Sequence, residues 1–134
     1  MSRHERGVLD TSVVIEITSV AEEALPIASA IAALTLAELT SGPLSTTDPV
    51  RRAQRLERLQ WAESKFEAIP FDTAAAHAYG RIYSAVLTTK RRRSGARAVD
   101  LLIAATALSR GLPLYTRNPA DFASLATLME VVAV

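Results

Sequence analysis

RAVDLLIAATALSRGLPLYTRNPADF, residues 97–122, is the stretch whose reading decides the fold. Apolar side chains surround a helix over about 99–110: Val99, Leu102, Ile103 and Thr106 on one side, Leu101, Ala105 and Leu108 on the other. A helix with no polar face is a buried one. Gly111 is placed to end it in the left-handed conformation, and 112–115 has the length and apolar character of a buried strand. Asp100 is the one acid inside the helix, and Thr116, Arg117, Asn118, Pro119 and Asp121 follow the strand or lie just beyond it. A carboxylate rarely enters an apolar layer without a partner. The stretch therefore asks which other groups Asp100 and Asp121 meet.

At 134 residues and 49% hydrophobic content, the chain fits one domain with a real core, and disorder is excluded. Aromatics make up 5%, so the core is built from Leu, Ile, Val and Ala. The absence of cysteine excludes disulfides and thiolate metal sites and suits a reducing cytoplasm, the expected location. Asp10 and Glu16 interrupt any apolar N-terminal run, so no secretory signal is expected. No apolar stretch approaches the roughly 18 residues that span a bilayer, and no membrane partner is expected. With a net charge of +1, nucleic-acid binding has to come from local clusters.

Toward the N-terminus, Val8-Leu9-Asp10 ends a short strand that starts near Gly7, and Asp10, Thr11 and Ser12 open a short helix over 13–17. An N-cap role accounts for Asp10 on its own. After a polar loop at 19–24, the second strand is expected over 25–31, in Ala-rich sequence that also suits a helix. Thr35 opens the next helix. Thr35-x-x-Glu38 matches a capping box, a complete structural account of Glu38; the functional alternative aims Glu38 from the first helical turn into the pocket of Asp10. Gly42-Pro43 stops that helix, 45–47 is loop, and Asp48-Pro49 starts a helix to about 67. That helix carries Arg51, Arg52, Arg55 and Arg58 on one side and the apolar stripe Leu56, Leu59, Ala62 and Phe66. The arginines read as a solvated face, with RNA contact as the other reading, and Trp61 as half-buried or at an interface.

Residues 68–71 are a further strand, and Asp72 caps a helix over 73–89. Tyr79, Ile82, Tyr83, Val86 and Leu87 give that helix more apolar positions than one core face requires, which predicts a two-fold homodimer. His77, alone on the same helix, reads as structural. KRRRSGAR at 90–97 places five positive charges directly before Asp100. It is either a solvated loop or a phosphate-contacting rim, since Arg forks match phosphate geometry. The β-branched run at 129–134 is the last strand. Short strands alternating with helices define an α/β fold: a central, mainly parallel sheet of four or five strands flanked by helices on both faces.

In a parallel sheet the strands end on one edge, where the following helices begin. Asp10, Glu38 and Asp121 each come just after an expected strand, and Asp100 lies near a helix start, so four carboxylates converge on that edge. Clustered carboxylates repel unless a proton or a cation lies between them. Oxygen ligands without Cys or a His pair favour Mg²⁺ or Mn²⁺ over zinc. Such a site can activate water and stabilise the leaving oxygen in phosphodiester hydrolysis. No Gly-rich phosphate loop is present, which argues against a nucleoside triphosphatase.

The set L-D-T-S at 9–12, T-L-A-E-L at 35–39, R-A-V-D-L-L-I-A-A-T-A at 97–107 and Y-T-R-N-P-A-D-F at 115–122 resembles the PIN-domain ribonucleases. The length looks most like the VapC-type toxin of VapBC toxin–antitoxin pairs, and the resemblance covers essentially the whole chain in order. It implies a single PIN-like domain over 1–134. It also implies a Mg²⁺- or Mn²⁺-dependent endoribonuclease, commonly a dimer, inhibited by a cognate antitoxin whose tail occupies the site. Carried over by position, Asp10, Glu38, Asp100 and Asp121 would be the catalytic, metal-holding acids, with Ser12, Thr116 and Asn118 orienting them and their waters. Arg97 matches the basic residue three before the third acid. Arg91, Arg92, Arg93, Arg97 and Arg117 are the expected RNA contacts. The 90–97 loop is unusually basic for the family, and the second strand unusually Ala-rich. Two alternatives stand beside this: a non-catalytic PIN-like binding module, and another Mg-dependent phosphate-ester hydrolase on the same fold. A receiver-type phosphate acceptor would need a Lys where Arg117 follows the late strand.

Overall fold

Five short strands pair in parallel in the computed structural model, which describes residues 3–88 and 98–134. They are β1 (Arg6–Leu9), β2 (Ala28–Ala32), β3 (Glu67–Ile69), β4 (Leu114–Thr116) and β5 (Val131–Ala133), in the order β3-β2-β1-β4-β5. The helices are α1 (Thr11–Ile15), α2 (Ala33–Ser41), α3 (Pro49–Lys65), α4 (Thr73–Leu87) and α5 (Ala98–Ser109). Turns of 3₁₀ helix lie at Ile17–Ser19, Glu22–Ala24, Pro43–Ser45 and Pro119–Leu125. The expected parallel α/β sheet is present. No helix among the described residues is long and apolar enough to cross a membrane.

A strand buried on both faces sends alternate side chains into two different layers. Val8, Ala30, Ala32, Ile69 and Leu114 pack on one face with α4, α5 and the 119–125 turn, through Ile82, Ile103, Ala104, Phe122 and Leu125. Leu9, Ile31 and Tyr115 pack on the other face with Val13 and Val14 of α1, Leu39 of α2 and Ala62 of α3. The helix read from the opening stretch is the most enclosed of the five: Leu101, Ile103, Ala104, Ala105, Thr106 and Ala107 are all buried. Its polar Thr106 is satisfied within the helix, the hydroxyl donating to the Leu102 carbonyl at 2.9 Å. The small side chains of α5 let it lie close to both the sheet and α4, as a chain poor in aromatics requires.

Gly111 closes α5 as expected, at φ +65°. Its N–H donates to the Leu108 carbonyl at 3.0 Å and the Leu112 N–H to the Ala107 carbonyl at 3.0 Å, the two bonds of a Schellman turn.

Several expected boundaries move, and proline accounts for most of them, because it cannot donate to a ladder. β2 begins at Ala28, after Pro26, and not at residue 25; β4 begins at Leu114, after Pro113, and not at 112; β3 stops at Ile69, before Pro70, and not at 71. α1 begins at Thr11 because Asp10 is its N-cap. α3 stops at Lys65, where Phe66 turns extended. The last strand shortens to 131–133, and the apolar stripe of α3 narrows because Leu56 is largely exposed. Trp61 is partly exposed and meets Phe66 edge-on, ring centroids 5.3 Å apart. The basic run at 90–97 and the expected end of the fourth helix at residue 89 lie outside the described residues.

Gly7 is fixed by space. A Cβ there would stand 2.6 Å from Cε1 of Tyr115, a ring only 2% exposed, and 3.1 Å from Cγ of Pro26. Neither neighbour can swing into solvent. Gly7→Ala should destabilise the chain by about 1–3 kcal/mol, the usual cost of overpacking. Urea unfolding checks this, and an unchanged midpoint would show that the β1–β4 ridge has slack.

Candidate active site

The strand order reverses between β1 and β4: β2 and β3 lie to one side of that pair, β5 to the other. In open α/β sheets, ligands bind outside the strand carboxyl ends at such a reversal. Asp10 follows β1 directly, and its N–H donates to the Tyr115 carbonyl of β4 at 2.9 Å, so the two strand ends are locked side by side. Arg117 and Asn118 leave β4 at the same level.

Asp10 is 4% exposed, and its Oδ1 accepts from the Ser12 hydroxyl and, at 3.3 Å, from the Val13 N–H that it caps. Capping and pocket are therefore one arrangement. Ser12 Oγ in turn accepts from the Arg117 N–H at 3.1 Å, and the Thr116 hydroxyl accepts from the Asn118 N–H at 2.9 Å. Burial raises the Asp10 carboxyl above its ordinary value; hydrogen bonds from Ser12, Thr116 and Val13 pull it back, and the nearby Asp100 charge raises it further.

Asp10, Asp100 and Asp121 line one cavity of about 210 Å³, with Thr11, Ser12, Ile15, Asn118 and Phe122. Glu38 does not line it. It opens on the adjoining groove, and Thr11 and Ile15 line both spaces. The expectation that all four carboxylates share one pocket is thus corrected: three share it, and the fourth stands across Thr11. The capping box also fails. α2 begins two residues before Thr35, its N-cap is Ala32, and no side chain caps it. Glu38 Oε1 accepts instead from the Thr11 hydroxyl, and the wholly buried Thr35 hydroxyl lies 3.0 Å from the same oxygen of Thr11. Since Thr11 gives its one proton to the carboxylate, Thr35 donates to Thr11. Sequence reasoning gave Thr11 only a place at a helix start and Thr35 only the capping role, and neither a part in this network. Nor did it anticipate the ion pair of Arg117 Nε with Glu16 Oε1 at 3.2 Å, which ties the segment after β4 to α1. Arg91, Arg92, Arg93 and Arg97 lie outside the described residues.

The donor set is oxygen throughout, and a buried, raised carboxyl beside a second carboxylate is the electrostatic setting that a hard divalent cation relieves. Among the described residues, no group of three or more His, Cys, Asp or Glu side chains is placed to hold a metal ion by itself.

The PIN domain family model matches residues 7–128. Ribonuclease VapC5 of Mycobacterium tuberculosis is 39% identical over 96% of this chain and 95% of its own length. Ribonuclease VapC of Rickettsia bellii is 35% identical over 75% of this chain and 72% of its own. Among solved structures, VapBC-5 from M. tuberculosis, a member of the VapBC family of toxin–antitoxin systems, superposes with a TM-score of 0.80 at 37% identity. The match covers 97% of this chain and 99% of that one.

Asp10→Asn keeps an acceptor oxygen at the cap and removes the buried charge. With its native pKa raised, the stability Asp10 contributes is full below the unfolded carboxylate range and is lost as pH rises through the native value. In EDTA at pH 7 the variant should therefore melt above the wild type, with the gap closing toward about pH 4. Mg²⁺ or Mn²⁺ should raise the wild-type Tm and leave the variant's unchanged. Differential scanning calorimetry checks both, and a variant that responds to the cation as the wild type does would remove Asp10 from the metal site.

Proposed function

Since the chain belongs to the PIN-domain family, we propose that it is a VapC-type toxin: a Mg²⁺- or Mn²⁺-dependent endoribonuclease held inactive in the cytoplasm by a cognate antitoxin. The observation that carries the proposal is the cavity where Asp10, Asp100 and Asp121 meet at the reversal of the sheet. The ribonuclease names of the relatives support the chemistry, and the solved toxin–antitoxin relative supports the partner.

In this reading residues 1–134 act as one PIN-like domain. Asp10, Asp100 and Asp121 would hold the cation in part through its waters, and Glu38 adds a fourth carboxylate in the adjoining groove. When bound, the cation would lower the pKa of its water and stabilise the leaving oxygen of the phosphodiester. Ser12 and Thr116 fix the Asp10 carboxylate through hydrogen bonds, so it would hold a cation without reorganising. Asn118 lines the same cavity. Arg91, Arg92, Arg93 and Arg97 contact RNA phosphates just before α5, and Arg117, held by Glu16, presents its charge beside the cavity.

Assembly follows from α4. Tyr83 and Leu87 are about half exposed, and the Tyr79 and Tyr83 rings lie 6.0 Å apart on the same helix. This apolar surface would be covered in a two-fold homodimer.

Asp100→Asn should lower RNA cleavage about a thousandfold, several kcal/mol of lost transition-state stabilisation, while RNA binding and folding persist. Replacing Arg91, Arg92 and Arg93 together with Ala should give the opposite pattern: weaker, less salt-dependent binding with residual turnover at saturating RNA. Cleavage by Asp100→Asn at the wild-type rate would end the proposed mechanism. Light scattering of the chain alone at micromolar concentration should give a dimer mass; a monomer throughout would refute the α4 interface.

A further inference from the structure

The acid cavity continues into an open groove of about 580 Å³ across Thr11 and Ile15, which line both. The far wall of the groove is α3, which presents Arg51, Arg55 and Arg58. At positions i, i+4 and i+7 these side chains share one face of the helix and span about 10 Å along it. The four arginines of α3 divide by what they hold. Arg52 donates to the carbonyls of Pro43 and Thr46, and Arg55 to that of Gly42, so these two staple the turn after α2 onto α3. Arg51 has only an exposed pairing with Asp48 at 3.7 Å, which contributes little. Arg58 has no ion pair or hydrogen bond among the described residues.

We infer that this groove carries the single-stranded RNA flanking the cut, with Arg51 and Arg58 binding its phosphates. The inference rests on the nuclease reading of the acid cavity and adds the path of the substrate away from it. Charge complementarity selects the occupant. The groove sets three guanidiniums, one of them already committed, against the one carboxylate of Glu38, and its large apolar side chains are Ile15 and the buried Leu39. A partner helix needs a row of apolar anchors, whereas a phosphate backbone needs spaced forks. A strand seated at the cavity must also leave it somewhere, and Thr11 and Ile15 form the shared threshold. The α3 arginines, which in sequence look like ordinary solvated surface, then lie on one path with the acids.

The test is equilibrium binding of a labelled, mixed-sequence single-stranded RNA to the full chain in EDTA, across a salt series. Arg51→Ala/Arg58→Ala should bind roughly tenfold more weakly near 0.1 M salt, and its salt slope should fall by about 1.4, two contacts at ~0.7 each. Arg81→Ala, an exposed change on α4, should match the wild type. Arg58→Gln, a single change at a partly exposed position, carries the same test with half the slope change if the double variant does not fold. If the arginine variants bind RNA with wild-type affinity and slope while the wild type cleaves RNA, the groove proposal fails and the nuclease reading stands. If they lose only the binding of a partner protein, the groove is a protein surface and the proposal fails. If the wild type neither binds nor cleaves RNA, both readings fail together.

Discussion

A carboxylate set at the end of a central strand, between two apolar layers, must find donors or a counter-charge. Asp10 finds donors from both sides of the β1–β4 pair. Val13 and Ser12 reach it from α1 and Thr116 from β4, while the Arg117 N–H holds the Ser12 hydroxyl in place. The same contacts join the start of the chain to its last quarter, so satisfying one buried acid fixes how the two halves of the sheet meet. The balance is incomplete, because burial and the Asp100 charge still leave the carboxyl raised. A structure that tolerates such a group gives up stability at that point, a usual mark of a functional position.

The layers around this acid are built from small side chains. Ala30 and Ala32 in β2 and Ala104, Ala105 and Ala107 in α5 let helix and sheet approach closely, and the few large rings are used as wedges. Tyr115 is one of them. Its ring fills the space that Gly7 leaves open and meets His4 edge-on at 6.2 Å, and His4 in turn pairs with Glu130 at 3.0 Å. The two outermost segments of the described chain are thereby held against β4. Close packing of this kind leaves little room for adjustment.

Much of this was legible from residue patterns. The apolar periodicity of 99–110, the glycine after it and the strand beyond it correspond to α5, the Schellman turn and β4. Asp10, Asp100 and Asp121 could be placed on one edge because parallel strands end together. What pattern could not supply is which strands are neighbours, and the cavity depends on β1 lying beside β4. Strand ends were overrun at Pro26, Pro70 and Pro113, where hydropathy continues but ladder donors do not. The capping box misled because its four-residue pattern is local, while the burial of Thr35 against Thr11, 24 residues away, is not. Nothing in the sequence marked the pairing of Glu16 with Arg117 across 101 positions.

That separation has a temporal side. During synthesis Asp10 emerges early, but the carbonyl of Tyr115 and the N–H of Arg117 that complete its surroundings come when nearly all of the chain has been made. Parallel pairing between such distant segments is slow to form and demands most of the intervening chain. The acid cavity is therefore among the last parts of the molecule to exist. A polypeptide stalled or cut before β4 lacks Asn118, Asp121 and Phe122, and with them one wall of the cavity.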